Sequence, residues 1–219
     1  MRSRHRYSLV VFDWDGTIID SASTIAECIR LAAGDLGLEV PTKEQASHVI
    51  GLGLHDALRL AVPGLMPEHV TEFVERYRQH FRAREHEMDL FAGMRELIES
   101  LHVERTLGIA TGKSRRGLDR SLDATGLKPF FRASRCADET HPKPHPAMLL
   151  ELMAELEVRA EGALMIGDTS HDLEMARAAG VDALAVTYGA HAEEGLRSCQ
   201  PRACVASVPE LDRWLMQHG

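Results

Sequence analysis

The sequence predicts an α/β fold, a doubly wound parallel sheet with an all-helical domain inserted into it, and three observations carry that prediction. The first is a set of short apolar runs, Leu9–Phe12, Leu107–Ala110, Leu164–Ile166 and Ala183–Val186. They lack polar alternation, as strands buried on both faces do. The second is the helical spacing between them: Met94, Leu97, Ile98 and Leu101, then Leu118 and Leu122, then Met148, Leu149, Leu152, Met153 and Leu156. Leu173, Met175, Ala176 and Ala179 continue the series, with Gly180 as a stop signal. Strands alternating with helices imply parallel pairing. The third is a stretch from about Ser21 to Glu87 with helical periodicity alone, through Ile25, Ile29, Ala32 and Leu36, then Ala57, Leu58 and Leu60, then Val70, Phe73, Val74, Tyr77 and Phe81. Pro41 and Gly51 to Gly53 supply its turns. The expected division is an α/β core of residues 1–20 and 89–219 and a helical cap of residues 21–88.

At 219 residues, 44% hydrophobic and 26% charged, the chain can bury a large core and carries no low-complexity tract. A net charge of -8 argues against attraction to nucleic acid or to anionic membranes. An anionic small molecule would need positive charge concentrated locally. The start Met1-Arg2-Ser3-Arg4-His5-Arg6 is basic, but the apolar run behind it is too short for a signal peptide or a span. Cys28, Cys136, Cys199 and Cys204 are scattered without a Cys-x-x-Cys. Free thiols and a cytoplasmic location are expected.

Four strand ends carry candidate chemistry. Asp13-Trp14-Asp15-Gly16-Thr17 sets two carboxylates two positions apart after the first strand, with Gly16 easing the turn. Open α/β sheets hold ligands at such carboxyl ends, although Asp and Gly also mark ordinary turns. Thr111-Gly112-Lys113 offers a hydroxyl and amides before a helix starting near Ser114 or Arg115, a setting suited to anions. Pro142-Lys143-Pro144 restrains a lysine that can be aimed into a site. Gly167-Asp168 followed by Asp172 adds two acids, Asp172 being equally a first-turn helix acid. Proline spacing argues against His141 and His145 as paired metal ligands, and His171 reads as a capping or solvent-facing residue. The arginines and glutamates of Arg76–Glu87 form either a solvated face or an anion-steering rim.

Taken in order, Asp13-Trp14-Asp15-Gly16-Thr17, Thr111-Gly112, Lys143 and Gly167-Asp168 with Asp172 resemble the haloacid dehalogenase superfamily. The likeness is to its branch with a helical cap after the first motif. Thr17-Ile18-Ile19-Asp20-Ser21, Lys143-Pro144-His145-Pro146 and Gly167-Asp168-Thr169 are most similar to the phosphoglycolate phosphatase-like members, with Trp14 where phenylalanine is usual. The resemblance implies a Mg²⁺-dependent phosphomonoester hydrolase acting on a small phosphorylated metabolite, as a monomer or dimer. In that chemistry Asp13 is the nucleophile forming an aspartyl-phosphate, and Asp15 the acid and then the base. Asp13, Asp168 and the Asp15 carbonyl would hold Mg²⁺, Thr111, Gly112 and Lys143 would bind phosphate, and Asp172 would orient the metal shell or Lys143. The same intermediate serves a phosphomutase. A receiver-like phosphoacceptor module would also use acids, Thr and Lys, but has no need of a water-excluding lid. Dehalogenation is disfavoured by Asp15, since a halide leaving group needs no proton. The cap turn Gly51-Leu52-Gly53-Leu54 is the candidate substrate-facing segment; being poor in charge, it suggests a small leaving group or broad specificity. His55 and Arg59 are its nearest polar side chains, and the loop Thr187–His191 is a second candidate wall.

Overall fold

The computed structural model describes residues 6–218, so the basic stretch Met1 to His5 and Gly219 lie outside the described residues. Six strands form one parallel sheet in the order β3-β2-β1-β4-β5-β6. These are β1 (Leu9–Phe12), β2 (Thr106–Thr111), β3 (Ala133–Cys136), β4 (Ala163–Gly167), β5 (Asp182–Val186) and β6 (Cys204–Val205). The four apolar runs of the sequence are β1, β2, β4 and β5. The edge strands β3 and β6 carry no such run: β3 reads Ala-Ser-Arg-Cys and is mostly half-buried, and β6 has two residues. An edge strand is covered less, so it lacks the apolar signature that marks a central one.

Side chains alternate across the sheet with period two. Val10, Phe12, Leu164 and Ile166 point into one buried cluster, and Leu9, Val11, Ala163 and Met165 into the other. The first is covered by α5 (Met94–Glu104), α6 (Arg115–Thr125) and α10 (Val208–His218), the second by α7 (Ala147–Glu155), α8 (Ser170–Ala179) and α9 (Glu193–Ser198). Helices on both faces explain why central strands read as unbroken apolar runs. Ser114 caps α6 by accepting from the Gly117 N–H at 3.3 Å, and Gly180 ends α8 at φ 70°. Among the described residues the four cysteines are free, and no helix is long and apolar enough to cross a membrane.

The segment between β1 and α5 is helical: α1 (Ala22–Asp35), α2 (Lys43–His48), α3 (Leu54–Ala61) and α4 (Val70–Arg84). Thr42 and Gln45 start α2 with a reciprocal capping box, at 3.1 and 2.8 Å. These helices bury a cluster of their own, centred on Ile29, Leu58, Phe73 and Val74. The two connections to the sheet run side by side, Asp20 N–H donating to the Asp89 carbonyl at 3.0 Å and Phe91 N–H to the Ile18 carbonyl at 3.1 Å.

The register decides where chemistry gathers. Phe12 is level with Ile109 on one side and Ile166 on the other, so the ends of β1, β2 and β4 fall within two residues of one another. The chain order reverses between β1 and β4, which makes that crevice the switch point where open α/β sheets hold ligands.

Phe73 is fully buried at the centre of the helical cluster, and deleting a ring of that size leaves a cavity that costs about 3–5 kcal/mol. Phe73→Ala is expected to lower stability by that amount in urea denaturation. A loss below about 1 kcal/mol would show that these helices do not form a packed core.

Candidate active site

Asp13 is the first residue past β1, fixed by its own N–H donating to the Ile166 carbonyl at 2.9 Å. Its Oδ1 accepts from the Trp14 N–H at 2.6 Å and lies 2.7 Å from Lys143 Nζ. Its Oδ2 is buried and has no partner among the described residues. Lys143 is buried, and the same Nζ stands 2.6 Å from Asp172 Oδ1. One ammonium therefore separates two carboxylates.

Asp172 does two jobs. Its Oδ2 accepts from the Thr169 N–H at 3.1 Å and hydroxyl at 2.7 Å, closing a capping box at the start of α8, while Oδ1 turns to Lys143. Asp168, one residue past β4, is held from both sides: the Thr17 hydroxyl donates to Oδ1 at 2.7 Å and the Ala190 N–H to Oδ2 at 2.7 Å. Oxygens of Asp13, Asp168 and Asp172 lie within 4.8 Å of one another.

Such crowding of acids in a dry place shifts their protons. Burial, opposed by Lys143 and reinforced by Asp172 and Asp168, raises Asp13 well above the carboxylate range. Burial and then the Asp172 charge raise Asp168 to about 7. Burial disfavours the charge on Lys143, but Asp13 and Asp172 outweigh it and hold the ammonium above its ordinary value. Three hard oxygen donors, one with a lone buried Oδ2, are the donor set a small divalent cation such as Mg²⁺ takes.

Asp15 lies apart from that cluster. Its Oδ1 accepts from the Ser21 hydroxyl at 2.8 Å and lies 3.1 Å from Lys113 Nζ. Asp13 and Asp15 both line one cavity, together with Gly51 to Leu54 and Gly112. Thr111 is buried at the end of β2, its hydroxyl accepting from the Lys113 N–H at 3.2 Å. The turn of the helical segment is seated on the sheet loops, for a Cβ on Gly112 would come within 2.6 Å of the Gly51 and Leu52 carbonyls. Gly53 faces Pro142 and Ala137. Of its polar neighbours, His55 lines the cavity and Arg59 does not.

Several participants carry no signal strong enough to name from sequence alone. Lys113 directly follows the Thr-Gly pair yet reads as an ordinary helix-start cation. Ser21 and Thr17 are small polar residues near the first motif, and only their contacts with Asp15 and Asp168 distinguish them. The loop Thr187–His191 does join the site, through Ala190 and through Gly189, whose missing Cβ leaves room for Asp168. His171 and His191 both reach the His48 carbonyl, at 2.9 and 3.1 Å, tying α2 to the sheet loops. Burial and then His171 lower His191 to about 4, which leaves its Nδ1 free to accept from the Ser170 N–H at 3.1 Å. His141 and His145 meet at the exposed surface, their rings 4.5 Å apart and tilted by 37°, outside the acid cluster.

A family model of haloacid dehalogenase-like hydrolases matches residues 10–186, which include every acid of this site. The chain belongs to the haloacid dehalogenase-like hydrolases. It is 36% identical over 210 residues to a probable phosphatase of Dickeya dadantii, IndB, covering 93% of this chain and 91% of that one. It is 31% identical to a phosphoglycolate phosphatase of Aliivibrio fischeri, covering 88% and 89%. The fold matches the crystal structure of a predicted phosphoglycolate phosphatase from Haemophilus somnus with a TM-score of 0.86 over 98% of this chain and 99% of that one, at 22% identity. Both of these relatives carry phosphatase names, while a 33% identical relative from Mycobacterium tuberculosis, covering 83% of this chain and 62% of its own, is named a tyrosine-protein kinase, PtkA.

The raised acids fix the sign of a pH effect. In cation-free protein, Asp168 keeps its proton up to about 7 while the unfolded chain loses it near 4, so the folded state binds more protons in between. Stability in chelator is expected to fall as pH rises from 5 to 7, by up to about 1.4 kcal/mol per pH unit for each such acid. Asp168→Asn should flatten that slope. A melting temperature that rises with pH across this window would contradict the assignment.

Proposed function

We propose that this hydrolase cleaves a small phosphate monoester in the cytoplasm through an aspartyl-phosphate on Asp13, with residues 21–88 acting as a cap over the sheet. One observation carries the reading: Asp13, with an unpartnered buried Oδ2, stands against Lys143 and Asp168 at the floor of a cavity that Asp15 also lines. The names of the two phosphatase relatives agree with it.

Uncatalysed phosphate monoesters hydrolyse extremely slowly, so an enzyme must supply a nucleophile and neutralise charge. The Asp13 carboxylate attacks phosphorus; its O–P bond forms as the bond to the leaving oxygen breaks. Asp15 gives its proton to that oxygen. Water then attacks the phosphorus of the intermediate, Asp15 takes the water's proton, and phosphate leaves with Asp13 restored. Lys143 holds the Asp13 carboxylate in line and offsets its charge. The Thr111 hydroxyl and the Gly112 backbone bind phosphoryl oxygens. Asp13 and Asp168 would hold Mg²⁺ with the Asp15 carbonyl, and Asp172 orients Lys143. The ion supplies charge neutralisation between carboxylate and phosphate.

A phosphate-release screen over phosphoglycolate, sugar phosphates, nucleotides and pyrophosphate, with Mg²⁺ or with chelator, tests this directly. Release is expected only with the cation. Asp13→Asn should lower kcat at least about 10³-fold with the melting temperature preserved. In kcat/KM, which reports the first half-reaction and not the later attack of water, Asp15→Asn should cost about 10²–10⁴-fold on alkyl phosphates and far less on 4-nitrophenyl phosphate, whose leaving group needs no proton. Equal losses on both substrates would remove Asp15 from the acid role.

A further inference from the structure

The cavity above Asp13 and Asp15 has a volume of about 470 Å³. That is in the range of roughly 300–1,000 Å³ typical of pockets that enclose a drug-sized ligand. A phosphate on a two-carbon leaving group would leave most of it empty. Its walls fall into two zones. One is apolar, with Ile25 and Ile29 of α1 and the rings of Tyr77 and Phe81 on α4. The two rings stack 5.8 Å apart with 26° between their planes. Phe81 also lies 4.7 Å from Lys113 Nζ, the atom that reaches Asp15 Oδ1 at 3.1 Å. The aromatic wall therefore begins one side chain away from Asp15.

The second zone is basic. Arg78 and Arg82 follow the two aromatics by one residue on α4, and Arg116 and Arg120 line the cavity from α6 on the sheet side. Two of the four are compensated, Arg78 by Glu75 at 3.0 Å and Arg120 by Glu85 at 3.6 Å. Arg82 and Arg116 are exposed, and their side chains have no hydrogen-bond or ion-pair partner among the described residues. The other wall carboxylates do not serve them: Asp138 accepts from the Arg115 N–H at 2.8 Å, and Asp56 stands in the first turn of α3. In a chain of net charge -8, two uncompensated guanidinium groups lining one cavity from its two sides are a local reversal of sign. Guanidinium forks are suited to bidentate recognition of carboxylate or phosphate.

We propose that the substrate is a phosphate monoester with a second anionic group at the far end of a flat apolar body. Arg82 and Arg116 bind that distal anion, and Tyr77 and Phe81 pack on the body between the two charges. This deepens the hydrolase reading of Asp13 and Asp15 and rests on it. The charge-poor turn Gly51–Leu54 closes the near end of the cavity, while the selecting charges lie on α4 and α6.

The test compares two esters with the same reacting centre, benzyl phosphate and 4-carboxybenzyl phosphate, with 4-phosphonobenzyl phosphate as the arm that separates a phosphate-type from a carboxylate-type distal group. Wild-type kcat/KM is expected to favour at least one of the doubly anionic esters by tenfold or more, mainly through KM. Arg82→Gln and Arg116→Gln should each reduce that ratio, and the double variant should bring it close to one, while Arg82→Lys keeps part of it. Equal turnover of benzyl phosphate and of the esters with a second anionic group, or a ratio that survives in the double variant, overturns the proposal. Calorimetric titration with benzylphosphonate and 4-carboxybenzylphosphonate, which are not hydrolysed, keeps the two readings apart. Preferential binding of the carboxylate that depends on Arg82 and Arg116, without release of phosphate from any ester, would overturn hydrolysis alone. Hydrolysis without preference would overturn the substrate class alone.

Discussion

The bridge of Lys143 Nζ to Asp13 and Asp172, at 2.7 and 2.6 Å, is the interaction on which the rest of the site depends. Each buried ion carries a desolvation penalty of several kcal/mol, and carboxylates packed together add their repulsion. Asp13, Asp168 and Asp172 bring three such groups within 4.8 Å, and among the described residues one ammonium, that of Lys143, is paired with two of them. The cluster is left about two charges short of neutrality when all three acids are ionised, and this repulsion adds to burial in driving Asp13 and Asp168 towards their protonated forms. A divalent cation has the charge to complete the balance. Asp172 then couples this arrangement to the fold, because the oxygen not facing Lys143 caps α8.

That density of carboxylates needs backbone without side chains beside it. A Cβ on Gly167 would sit 2.3 Å from Asp172 Cγ, and one on Gly189 would sit 2.3 Å from the Asp168 Cβ. Gly16 approaches Asp168 as closely, at φ 80°. Three loops that follow β1, β4 and β5 thus converge because each offers a bare backbone to the same acids. The Ala190 N–H and the Thr17 hydroxyl then occupy the two oxygens of Asp168, leaving that carboxylate no freedom to turn.

Much of this was legible in the residues. Central strands announce themselves because both faces are covered, and the acids of the candidate site stand at their ends, so Leu9–Phe12 with Asp13 and Leu164–Ile166 with Asp168 could be read as strand plus tip. The helical segment shows its period because one stripe of each helix packs on the others. What was hidden depends on covering or on distance in sequence. Strands β3 and β6 lie at edges, where burial imposes little pattern. Ser21, Lys113 and Ala190 matter through a partner many residues away, or through a main-chain N–H that any residue would supply. Arg82 and Arg116 belong to separate helices, and only the fold sets them on one cavity.

The same contacts join the state of Asp15 to the position of the helical segment. Lys113, held at Asp15 Oδ1, rests against the Phe81 ring of α4, and Ser21, the other partner of that oxygen, immediately precedes α1. On the opposite side the carbonyls of Gly51 and Leu52 press on Gly112, and His48 accepts from both His171 and His191. The chain passes between the sheet and the helical segment at Ile18 to Asp20 and at Asp89 to Phe91, which backbone hydrogen bonds hold side by side. Withdrawal of the helices would take Phe81 away from Lys113 and open the cavity to solvent. In the proposed mechanism Asp15 must first protonate an alcohol and later deprotonate water. Lys113 and Ser21, the two side-chain partners of Asp15 Oδ1, therefore tie the residue with both tasks to α4 and to the start of α1.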